Sequence, residues 1–379
     1  MDSFLSWAHS NQQRIIGTIR EMVECESPSD DPAAVNRQVE QIADRWSGLG
    51  KVTRKKAPGY GDHLLLEVDL PGKRKSGQIL ALGHTDTVWP LGTLRSMPWR
   101  EADGRLWGPG VYDMKGGIAF FLHAMEALRE MQVPVARKVV LQLNSEEEVG
   151  SHSSRPFTEA QARKSACVFV LEPGTGPEGK LKTARKGVGG YCVRVIGKSA
   201  HAGVDFTNGA NAIVELARQI EKIAGFTDLK IGLTVSPGVI RGGTRSNVVP
   251  AEADVDVDVR ITRLRDEARI DKKFRSMKAV DPRCRLEITG GLNRPPLERS
   301  REIRALFQHA RKLAAELGVR LEESSTGGGS DGNFTGALGI PTLDGLGAVG
   351  EGAHAVNESL FIDRIADRTA LLAKLVAAQ

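Results

Sequence analysis

Gln78-Ile79-Leu80-Ala81-Leu82-Gly83-His84-Thr85-Asp86 is the stretch on which the fold turns. Its first six residues form a short, mostly apolar run that reads as a strand buried on both faces, followed at once by polar residues. Such a strand belongs to an α/β sheet, mixed but largely parallel and flanked by helices. The chain around it alternates accordingly. Helices are expected over 115–130 and 151–164, and strands over 138–143 and 167–171. Upstream, Phe4, Leu5, Ala8, Ile15, Ile16, Ile19 and Met22 recur near helical spacing across 3–24, and a second helix is expected over 33–48.

The pattern changes near residue 187. Strands are expected over 189–196, 230–240 and 284–289, and helices over 208–223 and 264–278. Between 251 and 261 the alternation is almost complete. Ala251, Ala253, Val255, Val257, Val259 and Ile261 face one way, and Glu252, Asp254, Asp256, Asp258 and Arg260 face the other. The acids could form a calcium site or simply the solvated face of an antiparallel strand. A helix over 300–317, a strand near 320–324, a glycine loop and a last helix over 360–378 follow. Residues 184–293 therefore read as a smaller α+β unit inserted into a larger domain made of 1–183 and 294–379.

The chain has 379 residues, which at about 150 per domain suits two or three domains. With 40% hydrophobic and 26% charged residues it can build a large core, which excludes disorder throughout. No apolar run approaches the ~20 residues of a membrane span. The N-terminus has neither a basic segment nor a long apolar one, so the chain as given reads as cytoplasmic, unless a signal was trimmed. Four scattered cysteines, Cys25, Cys167, Cys192 and Cys284, read as packing residues rather than a disulfide framework. The net charge of +5 permits acidic partners, but the basic residues are dispersed and no aromatic-rich basic stripe points to nucleic acid.

The polar residues at element ends carry the chemistry. His84-Thr85-Asp86 leaves a strand end, where sites form in open α/β sheets. A His-x-Asp pair there suits a metal ligand with an orienting carboxylate, or a surface histidine beside a capping acid. Glu146-Glu147-Glu148 leaves another buried strand. It reads either as a solvated charge run or as a ligand with a neighbour that faces the bound water. Glu172 follows a third strand. Asp113 lies in a glycine-rich turn that opens a helix but lacks the phosphate-loop spacing. His354 lies in Gly350-Glu351-Gly352-Ala353-His354. Two histidines, an aspartate, two glutamates and a spare glutamate suit two divalent ions sharing the aspartate, with the nitrogen and oxygen donors typical of zinc. The charges of Asp113, Glu148, Glu172 and one hydroxide would balance two dications. Such a pair activates water and polarises a carbonyl.

These segments occur in a fixed order. They are Gly83-His84-Thr85-Asp86-Thr87-Val88, Gly108-Pro109-Gly110-Val111-Tyr112-Asp113-Met114-Lys115-Gly116-Gly117, Ser145-Glu146-Glu147-Glu148-Val149-Gly150-Ser151, Leu171-Glu172-Pro173, Gly197-Lys198-Ser199-Ala200-His201-Ala202-Gly203 and Gly352-Ala353-His354. The set resembles the di-zinc aminoacylase/carboxypeptidase superfamily and, within it, the bacterial glutamate carboxypeptidases of the carboxypeptidase G type. Arg245-Ser246-Asn247-Val248-Val249-Pro250 and Thr326-Gly327-Gly328-Gly329-Ser330-Asp331 agree with it.

The resemblance implies a zinc-exopeptidase-like catalytic domain with an inserted lid and dimerisation domain. It implies that His84 and Glu172 hold one zinc, Glu148 and His354 the other, and that Asp113 bridges them, often through a cis peptide to the next residue. Cobalt or manganese could replace zinc. Asp86 would orient His84, Glu147 would be the general base, and His201, reaching across a homodimer, would stabilise the oxyanion. Met114 stands where relatives commonly carry an acid, so it cannot hydrogen-bond as that acid would. Arg294, Asn247, Lys180 and the Gly327, Gly328 and Gly329 turn are the substrate-binding candidates, Lys180 because it falls eight residues after Glu172. The implied activity is release of a C-terminal amino acid, with glutamate favoured, from a small peptide or N-acyl amino acid. The rivals are an N-acyl-amino-acid deacylase, acetylornithine deacetylase or desuccinylase with the same chemistry, and a non-catalytic binding protein. No nucleic acid or membrane partner is expected.

Overall fold

A computed structural model describes residues 2–73 and 75–379. The chain divides into two compact units. One contains Met1–Ala184, Arg299–Thr326 and Ser330–Gln379, and the other Arg185–Glu298 with Gly327–Gly329.

The first unit is built on a six-stranded sheet in the order Gly50–Lys55, His63–Val68, Lys138–Asn144, Gln78–His84, Ser165–Val170, Thr342–Leu343. Gln78–His84 runs parallel to both of its neighbours, and Thr342–Leu343 extends the parallel part. His63–Val68 is antiparallel to the strands on either side. All of Gln78–His84 is buried, for a reason that its alternation explains. Ile79 and Ala81 join the core with Ile19, Phe121, Phe169 and Leu371 on one face of the sheet. Leu80 and Leu82 join Val140, Val168 and Val170 on the other. The helix Gly116–Glu130 packs against Ile365–Ala377 and Gln12–Glu24, and is buried nearly all round because it lies between helices and sheet.

Two helices depart from the sequence reading. The helix expected over 3–24 breaks at Asn11 into Ser3–Ser10 and Gln12–Glu24. The Asn11 side-chain amide donates to the Trp7 carbonyl, satisfying the helix end locally as asparagine readily does. The helix expected from 151 begins only at Arg155. The buried Glu146 carboxylate accepts the N–H groups of Ser153 and Ser154 and holds 151–154 as a turn. A small antiparallel sheet of Arg100–Ala102, Arg105–Trp107, Ser359–Phe361 and Gly350–Glu351 was not expected. Its last two strands form the hairpin whose connection carries His354.

The second unit is an antiparallel sheet in the order Thr234–Gly242, Glu252–Ile261, Gly187–Ile196, Arg285–Arg294, with helices Ala212–Ala224 and Glu267–Arg275. Ala253, Val255, Val257, Val259 and Ile261 point into its core with Leu216, Ile223 and Phe274. On the opposite face Arg241 pairs with Asp254 at 2.8 Å and Asp256 at 2.9 Å. These acids therefore have an internal cation, and the alternation is that of a sheet with one buried face. All four cysteines are free. Among the described residues no helix is long and apolar enough to cross a membrane.

Candidate active site

Three neighbouring parallel strands deliver four of the acid and imidazole groups. His84 ends Gln78–His84, Glu147 and Glu148 leave Lys138–Asn144, and Glu172 follows Ser165–Val170. Residues just beyond the carboxyl ends of adjacent parallel strands are neighbours in space.

His84 is fully buried. Its Nδ1 lies 2.9 Å from the Asp86 backbone carbonyl, which can only accept, so Nδ1 carries the hydrogen. Nε2 is left to face Asp113 Oδ1 at 3.3 Å and Glu172 Oε1 at 3.6 Å. The Asp86 carboxylate approaches Nδ1 at 3.5 Å. It has a second task that its sequence position does not disclose, accepting the backbone N–H groups of Glu147 at 3.1 Å and Glu148 at 3.2 Å. One carboxylate thus ties the His84 segment to the glutamate turn.

Asp113 lies in the irregular turn Val111–Lys115, and its peptide bond to Met114 is cis. Its two oxygens face opposite ways. Oδ1 faces His84, and Oδ2 lies 3.6 Å from His354 Nε2. His354 Nε2 also lies 3.1 Å from Glu148 Oε1. Ligand atoms of His84, Asp113 and Glu148 fall within 4.8 Å of one another, as do those of His84, Glu147 and Glu172. The turn is held close to the Glu172 segment. Tyr112 donates its hydroxyl to the Gly174 carbonyl at 2.7 Å. Gly117 and Gly347 both press on the Leu171 carbonyl, where a Cβ would lie 2.1 Å and 2.0 Å from the oxygen. Met114 is buried, and its sulfur accepts a weak hydrogen bond from the His84 N–H at 3.3 Å, so the thioether does make one polar contact here.

The electrostatics favour a cation. Burial works against a charged His84, yet Asp113, Asp86 and Glu172 raise its pKa well above the ordinary imidazole value. The Glu148 hydrogen bond and its charge push His354 up to about 9. Burial, together with the charge on Asp113, raises Glu148. The cluster holds more acid than base and so draws positive charge. Its two imidazole nitrogens and its carboxylate oxygens are donors of the kind zinc-like ions take, and Asp113 turns one oxygen toward each imidazole. Metal ligation requires neutral imidazoles, whereas His84 and His354 retain protons near neutral pH in the metal-free chain. Metal loading at about pH 7.5 should therefore release protons, and the share that comes from His354 should fade as pH rises past about 9. Calorimetry in buffers of different ionisation enthalpy reads this directly, and an identical heat in each buffer would contradict it.

The remaining candidates are carried by other elements. Lys180 has its ammonium 3.5 Å from Glu322 and 3.9 Å from Glu178, which take up its charge. Lys182, two residues on along Leu181–Arg185, is buried, and its charge helps keep Asp113 ionised against burial and beside His84.

In the second unit, His201 is exposed. Its Nδ1 accepts the N–H groups of Gly203 and Val204, each at 3.1 Å. Asn247 is its neighbour across the pairing of His201 with Val248, and the Asn247 carbonyl accepts the Ala202 N–H. Arg294 is buried against Gly329. The carbonyls of Gly327, Gly328 and Gly329 are taken by Arg260 and Arg185.

A sheet whose strand ends gather imidazole and carboxylate groups around one aspartate, with a further glutamate alongside, has the donor set that a metal-dependent hydrolase of peptide or amide bonds requires. The sequence profile of peptidase family M20/M25/M40 matches residues 80–378, and the chain belongs to that family. It is 28% identical to carboxypeptidase G2 of Pseudomonas sp. (strain RS-16) over 97% of this chain and 90% of that one. It is 33% identical to acetylornithine deacetylase of Salmonella paratyphi B over 49% of this chain and 50% of that one. Its fold is similar to the YXEP protein of Bacillus subtilis, described as a dinuclear metal-binding peptidase of the M20 family. The TM-score is 0.71 at 15% identity, covering 98% of each chain.

Proposed function

We propose that the chain removes a C-terminal amino acid, glutamate in preference, from a small peptide or N-acyl amino acid. The observation that carries this reading is the position of Glu147, grouped with His84 and Glu172 while Asp113 faces both histidines. In this reading His84 and Glu172 would hold one ion and Glu148 and His354 the other, with Asp113 available to each. Zinc is favoured by the donor set. Bound there, two such ions would supply a water of lowered pKa and a polarised carbonyl. Glu147 takes the water's proton and returns a proton to the leaving amine. Asp86 holds the His84 ring and the Glu147 turn in register. His201, its hydrogen on Nε2, donates to the oxyanion from a partner copy of the chain, the insert serving as lid and dimer contact.

The preference for glutamate is supported by similarity to carboxypeptidase G2 along nearly the whole chain. The same reading gives Arg294, Asn247 and the Gly327–Gly329 turn to the α-carboxylate, as the resemblance implies, and a lysine, Lys180 or the buried Lys182, to the side-chain carboxylate. The match to acetylornithine deacetylase over half the chain favours a second reading, an N-acyl-amino-acid deacylase with the same groups.

The test is amine release by the zinc-loaded protein from N-benzoyl-glutamate, a folate-type acyl-glutamate, an Ala-Glu dipeptide, N-acetylornithine and N-acetyl-methionine, with and without chelator. Chelator-sensitive turnover confined to the glutamates is the expected result. Turnover of N-acetylornithine alone would move the assignment to the deacylase. Silence across the panel with two ions bound would remove both readings.

A further inference from the structure

We infer that Glu358, four residues beyond His354, is the positioning residue that assembles the metal cluster, an inference that rests on the metal set proposed above. Glu358 is fully buried. Its carboxylate takes four donors. Oε1 accepts the backbone N–H of Tyr112 at 3.0 Å and that of Asp113 at 3.0 Å. Oε2 accepts the backbone N–H of Gly110 at 3.0 Å and the Trp89 indole N–H at 2.7 Å. An ionised carboxylate offers about four lone-pair sites, so this one is saturated by N–H groups alone.

The origin of those donors gives the residue its role. Three belong to the turn that presents Asp113. Trp89 lies five residues after His84. Glu358 itself lies in the connection that carries His354, and its own N–H bonds to Ala355 within that connection. One buried side chain therefore joins the segments of three ligand candidates that come from distant parts of the sequence. Asp113 has to direct one oxygen toward each histidine, so an error in the turn is felt at both metal positions. The Glu358 oxygens are occupied by those four donors. Glu358 acts through the backbone that aims Asp113.

Glutamine is the informative replacement. It keeps the shape but places an NH₂ group opposite N–H donors, so one side of the anchor loses its acceptor. Glu358→Gln should weaken metal binding by about 10- to 100-fold, the usual consequence of losing a group that orients ligands. Cobalt-substituted Glu358→Gln should show an altered absorption spectrum, because ligand geometry changes around an unchanged ligand set. At saturating metal, kcat should fall while KM holds, since no substrate contact is removed. Trp89→Phe deletes only one of the four donors and should move the same readouts in the same direction by less, which keeps the inference testable if Glu358→Gln does not fold. The experiment is competitive zinc titration and the cobalt spectrum of the full chain beside both variants. Two ions bound with wild-type affinity and an unshifted spectrum in both variants would overturn the role of Glu358. No metal bound by the wild-type chain would instead overturn the proposed metal set.

Discussion

Glu147→Gln is expected to leave both metal ions bound and to lower turnover by about 10²- to 10⁴-fold, the range that a general base contributes. Glu147 leaves a buried strand, and its N–H is fixed by Asp86, whose carbonyl also sets the His84 ring. The carboxylate is thereby held beside His84 and Glu172, where a water between substrate and metal would meet it. Glutamine fills the same space but cannot take a proton, so the chemical step should slow while KM changes little. The same grouping allows a different part for Glu147, that of a third ligand with His84 and Glu172. The variant separates the two. Metal analysis showing two ions in an inactive variant supports the base, whereas loss of one ion makes Glu147 a ligand. A variant that turns over at the wild-type rate removes it from the chemistry.

The groups that lie next to a strand end were the readable ones. His84, Glu147, Glu148 and Glu172 follow apolar runs directly, and in a parallel sheet the residue after a strand has only one end of the sheet to occupy. The largely parallel sheet itself was legible for the same reason, because Gln78–His84 is apolar toward both layers. Asp113 and His354 follow no such run. The first sits in an irregular turn and the second in a hairpin connection, with His354 in the left-handed backbone region at φ 61°. Their glycine-rich surroundings made them candidates, and the resemblance implied the role of each.

Other contributions depend on partners that local sequence does not contain. Glu146 reads as one of three equivalent acids, yet it is buried and anchors the turn 151–154. Asp86 reads as a partner of His84 alone. Glu358 reads as an acid between Asn357 and Ser359 with no pattern around it. Three of its four donors are backbone N–H groups more than 240 residues away, and a backbone N–H leaves no mark in the sequence. The break at Asn11 was missed because the apolar spacing continues across it, and only the side-chain bond to Trp7 ends the first helix.

His201→Ala is expected to keep both ions and to lower turnover by about 10²- to 10³-fold, as removal of an oxyanion donor does. The proton position makes the histidine suitable. Two backbone N–H groups point at Nδ1, so the neutral ring must carry its hydrogen on Nε2, and that donor is available outward from an exposed side chain. Alanine removes the donor without disturbing any group in the metal cluster. If the histidine serves the partner's site in a symmetric dimer, its loss can be complemented. A mixed dimer of His201→Ala with Glu147→Gln contains one site in which both groups are intact, and random mixing of equal amounts should restore about a quarter of wild-type activity. Complementation that follows subunit exchange would place His201 in the neighbouring chain's reaction. Dimers that exchange subunits but stay inactive would place it in its own. A chain that remains a monomer and is fully active would dispense with the partner altogether, and the donor would then have to reach the oxyanion within a single copy.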